Sequence, residues 1–494
     1  MSHYQTLCEH YKKIANFNHL SAISSWDQAV MMPAGGNASR SSANAELSLH
    51  IHQLATAPQL EELFAQAQSE PLSTIEQASL REMANQWQKS TLLPDDLVQA
   101  KSLAGSKCEH AWRTQRRDND WQGFAKNFKE VVSLSQEEAQ IRAQVSNKMP
   151  YDAMLDLYEP GASCAQLDTV FSSLKSWLPE LTKQVQLKQA SEQYLKPTEQ
   201  YATQQQKQMG LDTMKLLGFD SNHGRLDISS HPFCGGVSDD VRITTRYDEN
   251  DFVQSLMGIV HETGHARYEQ GLPKALQGLP VGEARSMGIH ESQSLFFEMQ
   301  LGRSNEFINQ LAPLTLKHFP NNDPAQFAAA NLRKIYTRVT PDFIRVDADE
   351  VTYPAHIILR YEIERDLMNG KISYLDIPEL WDQKMQKYLG ISTAGNYKNG
   401  CMQDIHWTDG SFGYFPSYTL GAIYAAQFMA AMQKEVDVAT CINEQRLTPI
   451  FNWLENNIWC KGSLLTTDEL VIQSTGEALN ANYFKKHLQQ RYLG

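Results

Sequence analysis

The chain has few of the features that mark secreted or membrane proteins. Its seven cysteines are odd in number and no two are spaced as Cys-x-x-Cys, which argues against a disulfide framework and against a zinc knuckle. Residues 1–20 contain no apolar stretch of signal-peptide length, and the most apolar helix candidate, residues 422–432, is too short to span a bilayer. We therefore expect a soluble, cytoplasmic protein with free thiols.

Basic residues are also scarce relative to acidic ones. The chain has 44 Lys and Arg against 57 Asp and Glu, a net charge of -13, and this acidity argues against binding to nucleic acid or to anionic membranes. No charge block, low-complexity linker or internal repeat divides the 494 residues. The length alone favours more than one domain, but without a linker we predict one body over residues 1–494. The alternative is a body of two lobes, about 1–225 and 226–494.

Most of the chain has the composition and periodicity of amphipathic helices. The predicted helices are residues 4–23, 43–57, 59–68, 73–88, 95–114, 123–146, 164–177 and 179–189. Pro58 and Pro179 are interpreted as breaks, because proline does not continue a helix without a kink. The exception is residues 237–247, where apolar and polar side chains alternate as in a β-strand. The predicted fold class is mainly α, a large helical body with a small β-sheet beside the helix that follows this strand.

One motif concentrates the chemistry. His261-Glu262-Thr263-Gly264-His265 reads His-Glu-x-x-His. Histidines four residues apart lie on one face of a helix, so both can bind one metal ion, and the glutamate between them can act as general base toward a water that the metal activates. Gly264 is costly inside a helix, which suggests that another element approaches the backbone there. The alternative is a structural histidine pair without a metal.

A catalytic zinc takes a third protein ligand, and the residues alone leave its identity open. The downstream candidates are Glu269, Glu283, His290, Glu291 and Glu298. Glu269 lies on the same straight helix as His265 and is not expected to turn back onto the ion. Glu291 begins a second amphipathic helix and is favoured, with Glu298 and Glu283 behind it. Each of these glutamates could instead be a solvated surface residue.

Several further motifs resemble those of the carboxypeptidase Taq family of zinc metallocarboxypeptidases. With the zinc helix they make five motifs in the family's order, the others being Asp240-Val241-Arg242-Ile243-Thr244, His290-Glu291-Ser292-Gln293, Ile344-Arg345-Val346-Asp347-Ala348-Asp349 and Gly400-Cys401-Met402-Gln403-Asp404-Ile405-His406-Trp407. Trp26-Asp27-Gln28 and Met32-Pro33 resemble the family's N-terminal signature. The resemblance implies Glu291 as third zinc ligand, a deep active-site groove, and a homodimer.

The resemblance also implies a reaction, the release of single amino acids from the C-terminus of peptides. His406 is then the expected oxyanion donor, with Tyr418 favoured over Tyr414 as an assisting phenol. Arg345 and Arg242 are the candidates for binding the substrate's α-carboxylate, because arginine holds a carboxylate with two parallel hydrogen bonds. In the alternative, Arg345 pairs with Asp347 or Asp349, and Arg242 with Asp240, as structural salt bridges.

Asp349 and Asp404 are candidates for orienting a ligand histidine. His231-Pro232-Phe233 resembles a tripeptide that marks one subfamily, in which the closed end of the groove restricts substrate length. Zinc is the expected cofactor, although His-His-Glu ligation is also compatible with cobalt or manganese.

Two rival functions remain open at this point. A zinc oligopeptidase or endopeptidase would carry the same metal helix but would not need an arginine that reads a chain end. A noncatalytic helical protein with a structural metal is the second rival, and Glu262 argues against it because a structural site needs no base.

Overall fold

The computed structural model of the protein describes residues 2–197, 200–229 and 232–494. Most of this chain is helical, and the predicted mainly-α fold class is confirmed. The α-helices are α1 His3–Val30, α2 Asn37–Ala55, α3 Gln59–Ala67, α4 Thr74–Thr91, α5 Asp95–Arg117, α6 Trp121–Ser146, α7 Pro150–Leu155, α8 Cys164–Gln189, α9 Thr203–Leu216, α10 Phe252–Gly271, α11 Met287–Leu295, α12 Asn305–His318, α13 Ala329–Tyr336, α14 Tyr353–Met368, α15 Ile377–Leu389, α16 Pro416–Met432, α17 Val438–Asn443, α18 Thr448–Asn457, α19 Thr467–Thr475 and α20 Asn482–Leu493. Within the described ranges, no helix combines the length and apolar character needed to cross a bilayer.

Three predicted helix boundaries in the N-terminal half are wrong. The helix predicted to end at residue 23 continues to Val30 as α1, and the helix predicted to begin at residue 43 begins at Asn37 as α2. Pro179 does not break α8, which runs through it from Cys164 to Gln189. Leu174, Leu178 and Leu181 are buried on the two sides of the proline, so packing of this apolar face against the core outweighs the hydrogen bond that proline cannot donate.

The sheet has three strands, β1 Gly224–Ile228, β2 Phe233–Val237 and β3 Asp240–Thr245. The strand order is β1-β3-β2, with β1 parallel and β2 antiparallel to β3. The strand predicted over 237–247 is thus shorter than expected, because its first residue closes β2 and residues 238–239 make the turn. Val241 and Ile243 of β3 are fully buried in one cluster with Ile259 and Ala266 of α10, so the sheet lies beside this helix as predicted.

Glycines allow α10, α11 and α16 to approach closely. A Cβ on Gly264 of α10 would lie 2.5 Å from the carbonyl oxygen of Gln293 in α11. A Cβ on Gly421 of α16 would lie 2.7 Å from Cγ of Glu291. Both separations are too short for any side chain. The close approach that Gly264 suggested is therefore real, and α11 is the element that makes it.

The main hydrophobic core extends from α5 to α20, and a smaller second core joins α1, α3 and α4 to residues 279 and 281. The C-terminal helix α20 is held by Glu350, which is buried and accepts hydrogen bonds from Arg491 Nη1 at 3.0 Å and Tyr492 Oη at 2.9 Å and contacts His487. Lys188 Nζ donates to the backbone oxygen of Gly494 at 3.1 Å. The last helix is therefore anchored at its final turn.

Candidate metal centre and active site

Three of the predicted ligands lie together. His261 and His265 of α10 and Glu291 of α11 each offer a ligand atom, and these atoms all lie within 4.8 Å of one another. Nε2 of His265 is 3.5 Å from one carboxylate oxygen of Glu291, and Nε2 of His261 is 3.9 Å from the other. The geometry brings two imidazoles and one carboxylate to a common point, as a three-ligand catalytic zinc site requires.

The other third-ligand candidates have different places. Glu298 accepts a hydrogen bond from Nδ1 of His261 at 2.9 Å and another from Arg303 Nη2 at 2.6 Å. Burial would raise the pKa of Glu298, but Arg303 and His261 outweigh burial and hold it at about 2. An ionised Glu298 keeps the proton of His261 on Nδ1, which leaves Nε2 free to bind a metal.

His265 is supported through a second histidine. Its Nδ1 lies 2.6 Å from Nδ1 of His290, and Nε2 of His290 lies 2.8 Å from a carboxylate oxygen of Glu269. If His265 binds a metal through Nε2, its Nδ1–H must donate to His290, and the Nε2–H of His290 then donates to Glu269. The carboxylate thus fixes the tautomers of both rings. Glu283 is solvent-exposed and lies outside the ligand cluster.

The charge around these residues suits a cation. Three carboxylates, Glu262, Glu291 and Glu298, surround two histidines and are buried or half-buried. Burial lowers the pKa of His265 to about 4, so its ring is neutral and has a lone pair to offer. Burial raises the pKa of Glu262 to about 7, His261 opposes that rise and Glu291 adds to it. A dication would compensate this excess of negative charge, so the residues present fit a divalent metal.

A second cluster gathers the predicted oxyanion donors. Tyr418 Oη lies 3.3 Å from Nε2 of His406, and the His406 ring packs 5.3 Å from that of Tyr414. Burial, with a contribution from Arg345, lowers the pKa of His406 to about 4, so the imidazole is neutral near pH 7. Burial raises the pKa of both tyrosines, and the negative charge of Glu291 raises it further. Tyr418 lies on α16 about one turn before Gly421, which packs against Glu291, so the aromatic cluster lies beside the candidate metal ligands.

Arg345 belongs to the same cluster. Its guanidinium lies 4.9 Å from the centre of the Tyr418 ring, and it donates to Asp404 at 3.0 Å and to Tyr353 Oη at 3.3 Å. Its partner is thus Asp404, and neither Asp347 nor Asp349. Asp349 instead accepts hydrogen bonds from residues 340, 351 and 352. The side chains bonded to Nδ1 of His261 and His265 are thus Glu298 and His290, while Asp404 is bonded to Arg345.

Helix α14 forms hydrogen bonds with the segment that carries His406. Arg360 Nε donates to Asp404 at 2.7 Å. Glu364 is fully buried and accepts from Trp407 Nε1 at 2.7 Å, Tyr151 Oη at 2.9 Å and the Gly413 backbone N–H at 3.0 Å. Two helical positions one turn apart therefore fix both ends of the segment that carries His406.

Arg242 lies on β3 and already has two partners. It donates to both oxygens of Asp240, with Nη2–Oδ2 at 2.8 Å, and its guanidinium lies 4.5 Å from the ring centre of Trp26 in α1. Arg225 of β1 packs near the same indole at 5.1 Å. These contacts link the N-terminal helix to the sheet. His231, the first residue of the tripeptide 231–233, lies outside the described residues.

A mainly helical protein with a His-Glu-x-x-His helix and a glutamate ligand from the following helix belongs to the class of metallopeptidases. Comparison with known proteins makes this specific. The family model described as carboxypeptidase Taq (M32) metallopeptidase matches residues 6–492. The chain belongs to this family and is a metallocarboxypeptidase, a peptide hydrolase.

Individual relatives agree over nearly their whole length. The chain is 35% identical to a thermostable carboxypeptidase 1 of Thermus thermophilus, covering 99% of this chain and 98% of the relative. It is 34% identical to carboxypeptidase 1 of Bacillus subtilis, covering 97% and 96%. Among solved structures, metallocarboxypeptidase 1 of Trypanosoma cruzi superposes with a TM-score of 0.97 at 45% identity, covering 100% of this chain and 99% of that one.

Reasoning from sequence missed several supporting residues. Arg303, Tyr353, Arg360 and Glu364 were not singled out, because none of them lies in a recognised motif. A signal did exist in α14, where Arg360 and Glu364 stand among the apolar residues 357–359 and 363. A charged residue in such a run is rarely buried unless it is paired. Glu269, His290 and Glu298 were found, but as candidate ligands.

Proposed function

We propose that the protein is a zinc carboxypeptidase in which His261, His265 and Glu291 hold the metal. The observation that carries this proposal is the ligand set itself, because all three ligand atoms lie within 4.8 Å and both imidazole Nδ1 atoms are already engaged. When bound, zinc would act as a Lewis acid and lower the pKa of water to a value near neutrality. Cobalt or manganese would suit the same donor set.

Glu262 is proposed as the general base and then the general acid. It lies between the ligand histidines on α10 and is buried. In this role its carboxylate takes the proton of the attacking water and delivers it to the nitrogen of the leaving amino acid. His406 and Tyr418 are proposed to donate hydrogen bonds to the carbonyl oxygen as negative charge develops on it.

Arg345 is proposed to bind the free α-carboxylate of the substrate. The buried side chain projects beside Tyr418, and Asp404 and Tyr353 fix its orientation. A guanidinium that is held in place before binding loses little conformational freedom when it pairs with a carboxylate. Arg242 stays a weaker candidate, since its pairing with Asp240 and its packing on Trp26 account for it structurally.

Peptide trimming tests these roles directly. An N-acetylated peptide with a free C-terminal acid and the same peptide with a C-terminal amide are incubated with metal-loaded enzyme and followed by mass spectrometry. We expect stepwise loss of single residues from the free acid only. Internal fragments, or equal cleavage of the amide, would contradict the role of Arg345 and favour an endopeptidase.

Glu262→Gln separates catalysis from metal binding. The amide keeps the shape of the side chain but does not accept the proton, so activity should be lost while zinc content is retained. Loss of zinc together with loss of the fold would instead contradict the proposed role of Glu262 as base.

We also infer a cytoplasmic homodimer. All seven cysteines are free thiols in the structure, which fits a reducing compartment. The dimer rests on the family resemblance alone. Light scattering coupled to size exclusion would measure the mass, and a value near that of one 56.0 kDa chain would refute it.

A further inference from the structure

A large cavity lies apart from the metal centre. Its volume is about 1170 Å³, and its walls come from α4, α6, the segment 153–162, α8, α16 and the start of α19. None of the three ligands, and none of His406, Tyr418 or Arg345, lines it. The space is large enough for an organic molecule of metabolite size.

The walls combine charge with apolar surface. Five cationic side chains line the cavity, namely Arg81, Lys89, Arg142, Lys148 and Arg285, together with four acidic ones, Glu82, Asp156, Glu159 and Asp468. Trp87, Leu157, Leu420 and Tyr424 are among the apolar residues beside them. Such a mixture suits a ligand with one anionic end and one apolar part.

Two of the four acidic residues, Glu82 and Asp156, are already paired. Glu82 accepts from Arg81 Nε at 2.7 Å and from Arg285 Nη1 at 3.0 Å. Asp156 accepts from Lys148 Nζ at 2.5 Å. Burial raises the pKa of Glu159 to about 7, and serine hydroxyls and the Gly288 N–H oppose that rise. The fourth carboxylate, Asp468, is solvent-exposed.

Two cations lack a full set of partners. Among the described residues, Lys89 Nζ donates only to the backbone oxygens of Asp156, at 3.3 Å, and Leu157, at 3.4 Å. The Arg285 side chain is 4% exposed, and in the described chain its buried Nε has no hydrogen-bond partner. Both cations line the same cavity. Burial lowers the pKa of Lys89, Asp156 opposes this, and the positive charge of Arg285 lowers it further. A buried donor without an acceptor is costly, and an anion between the two groups would relieve both effects.

We infer that this cavity is a second ligand site, which binds a small organic anion with its carboxylate or phosphate between Lys89 and Arg285. The apolar part of the ligand lies against Leu420 and Tyr424. None of the residues proposed to bind the metal or the peptide lines the cavity, so its occupant is not expected to be consumed by the hydrolytic reaction.

Three six-carbon probes test the charge requirement in the metal-loaded enzyme. Hexanoate, hexyl phosphate and hexan-1-ol share the apolar chain and differ in the head group. Binding is followed through the fluorescence of Trp87, which is the ligand-induced change in the wild type minus that in Trp87→Phe. The subtraction removes signal from ligand that binds elsewhere, such as at Arg345. We expect saturable binding of at least one anion, with hexan-1-ol at least about tenfold weaker. The tighter of the two anions identifies the natural head group as carboxylate or phosphate.

Substitutions then locate the site. Lys89→Met should weaken anion binding by at least about tenfold, Lys89→Arg should retain it, and Lys107→Met, which removes an exposed lysine outside the cavity, should leave it unchanged. Peptide hydrolysis should persist in all three variants. Equal binding of hexan-1-ol, no saturable signal with either anion, or unchanged binding in Lys89→Met would each overturn the inference.

Discussion

His290 should set the metal affinity without touching the metal. Replacing it with Phe keeps a ring of similar size and removes both nitrogens. Two hydrogen bonds are lost, the one with His265 Nδ1 at 2.6 Å and the one with Glu269 at 2.8 Å. The Nδ1–H of His265 is then left without an acceptor in a site that α11 covers, and nothing holds the ring in the orientation and tautomer that present Nε2 to the metal.

The size of the effect follows from these two bonds. Leaving a buried donor unpaired costs about 1–3 kcal/mol, and about 1.4 kcal/mol corresponds to a tenfold change in an equilibrium constant. Loss of a residue that orients a ligand histidine typically weakens metal binding by about 10–100-fold. We therefore expect the zinc Kd of His290→Phe to rise by about 10–100-fold. Glu269→Gln should have a smaller effect, because the amide oxygen still accepts from His290 Nε2 and only the charge is lost.

Competition with a chelator of known affinity measures the zinc Kd directly. His318→Phe is the matched control, since His318 is also a histidine paired with a carboxylate, 3.0 Å from Asp212 on α9. That control should lower the unfolding temperature without changing the zinc Kd. For His290→Phe the apo protein should also unfold at a lower temperature, because two hydrogen bonds are lost, and the stabilisation on adding zinc should in addition become smaller.

Two results would refute the reasoning. An unchanged zinc Kd in His290→Phe would mean that His265 needs no oriented partner. An equally large effect in His318→Phe would mean that the zinc Kd reports general destabilisation and not the support of one ligand.

Three further predictions concern the rest of the active region. Arg345→Lys should lower kcat/KM on free-acid peptides by about 10–100-fold, mainly by raising KM, because the charge-assisted pair with the substrate carboxylate is weakened. If the variant lost affinity for C-terminally amidated inhibitors by the same factor, that result would count against a carboxylate contact. The pKa of Glu364 is raised from 4.5 to about 7, mainly by burial, so between these values the folded state holds a proton that the unfolded state has lost. The stability that this group contributes should increase by about 3 kcal/mol as pH falls from 7 to 4.5 and be absent above pH 7. Urea unfolding at pH 5 and pH 8 measures the change in unfolding free energy, which should be smaller in Glu364→Gln than in the wild type. An equal change in the two proteins would contradict the raised pKa of Glu364. Gly258 and Gly264 both lie in α10, but a Cβ on Gly258 meets nothing within 4 Å, so Gly258→Ala should stabilise the protein by about 0.5–1 kcal/mol. Gly264→Ala should instead destabilise the protein and reduce its zinc content. Thermal unfolding and metal analysis of the two variants measure these effects.

The residues of the proposed metal centre could largely be predicted from the sequence, but the residues that hydrogen-bond to the two histidines could not be assigned that role. His261, His265 and Glu262 lie within one turn, so a local pattern encodes their relation. Glu298 is 37 residues from the histidine that it orients, and it reaches that ring from a π-helix, Phe296–Gly302. A π-helix widens the turn and shifts side chains away from the 3.6-residue period, so periodicity did not indicate where Glu298 would point.

The same limit applies to the wider fold. Strand β3 was predicted because its side chains alternate locally, but its pairing with β1 and β2 depends on contacts between separate segments. Pro179 was misread because local propensity does not include the burial that keeps α8 continuous. Arg345 was placed in a motif, but its pairing with Asp404 rather than Asp347 or Asp349 depends on α14, which contributes Arg360 to the same carboxylate.

The anchoring of α20 has a consequence for local opening of the fold. One buried carboxylate, Glu350, accepts hydrogen bonds from Arg491 and Tyr492 and contacts His487, so three residues of this helix share a single partner that precedes α14. Tyr492 is itself buried in the main core. Unwinding of α20 would therefore leave the charge of Glu350 buried without its partners. We expect this helix to exchange its amide hydrogens together with the core and not as a separately fraying segment.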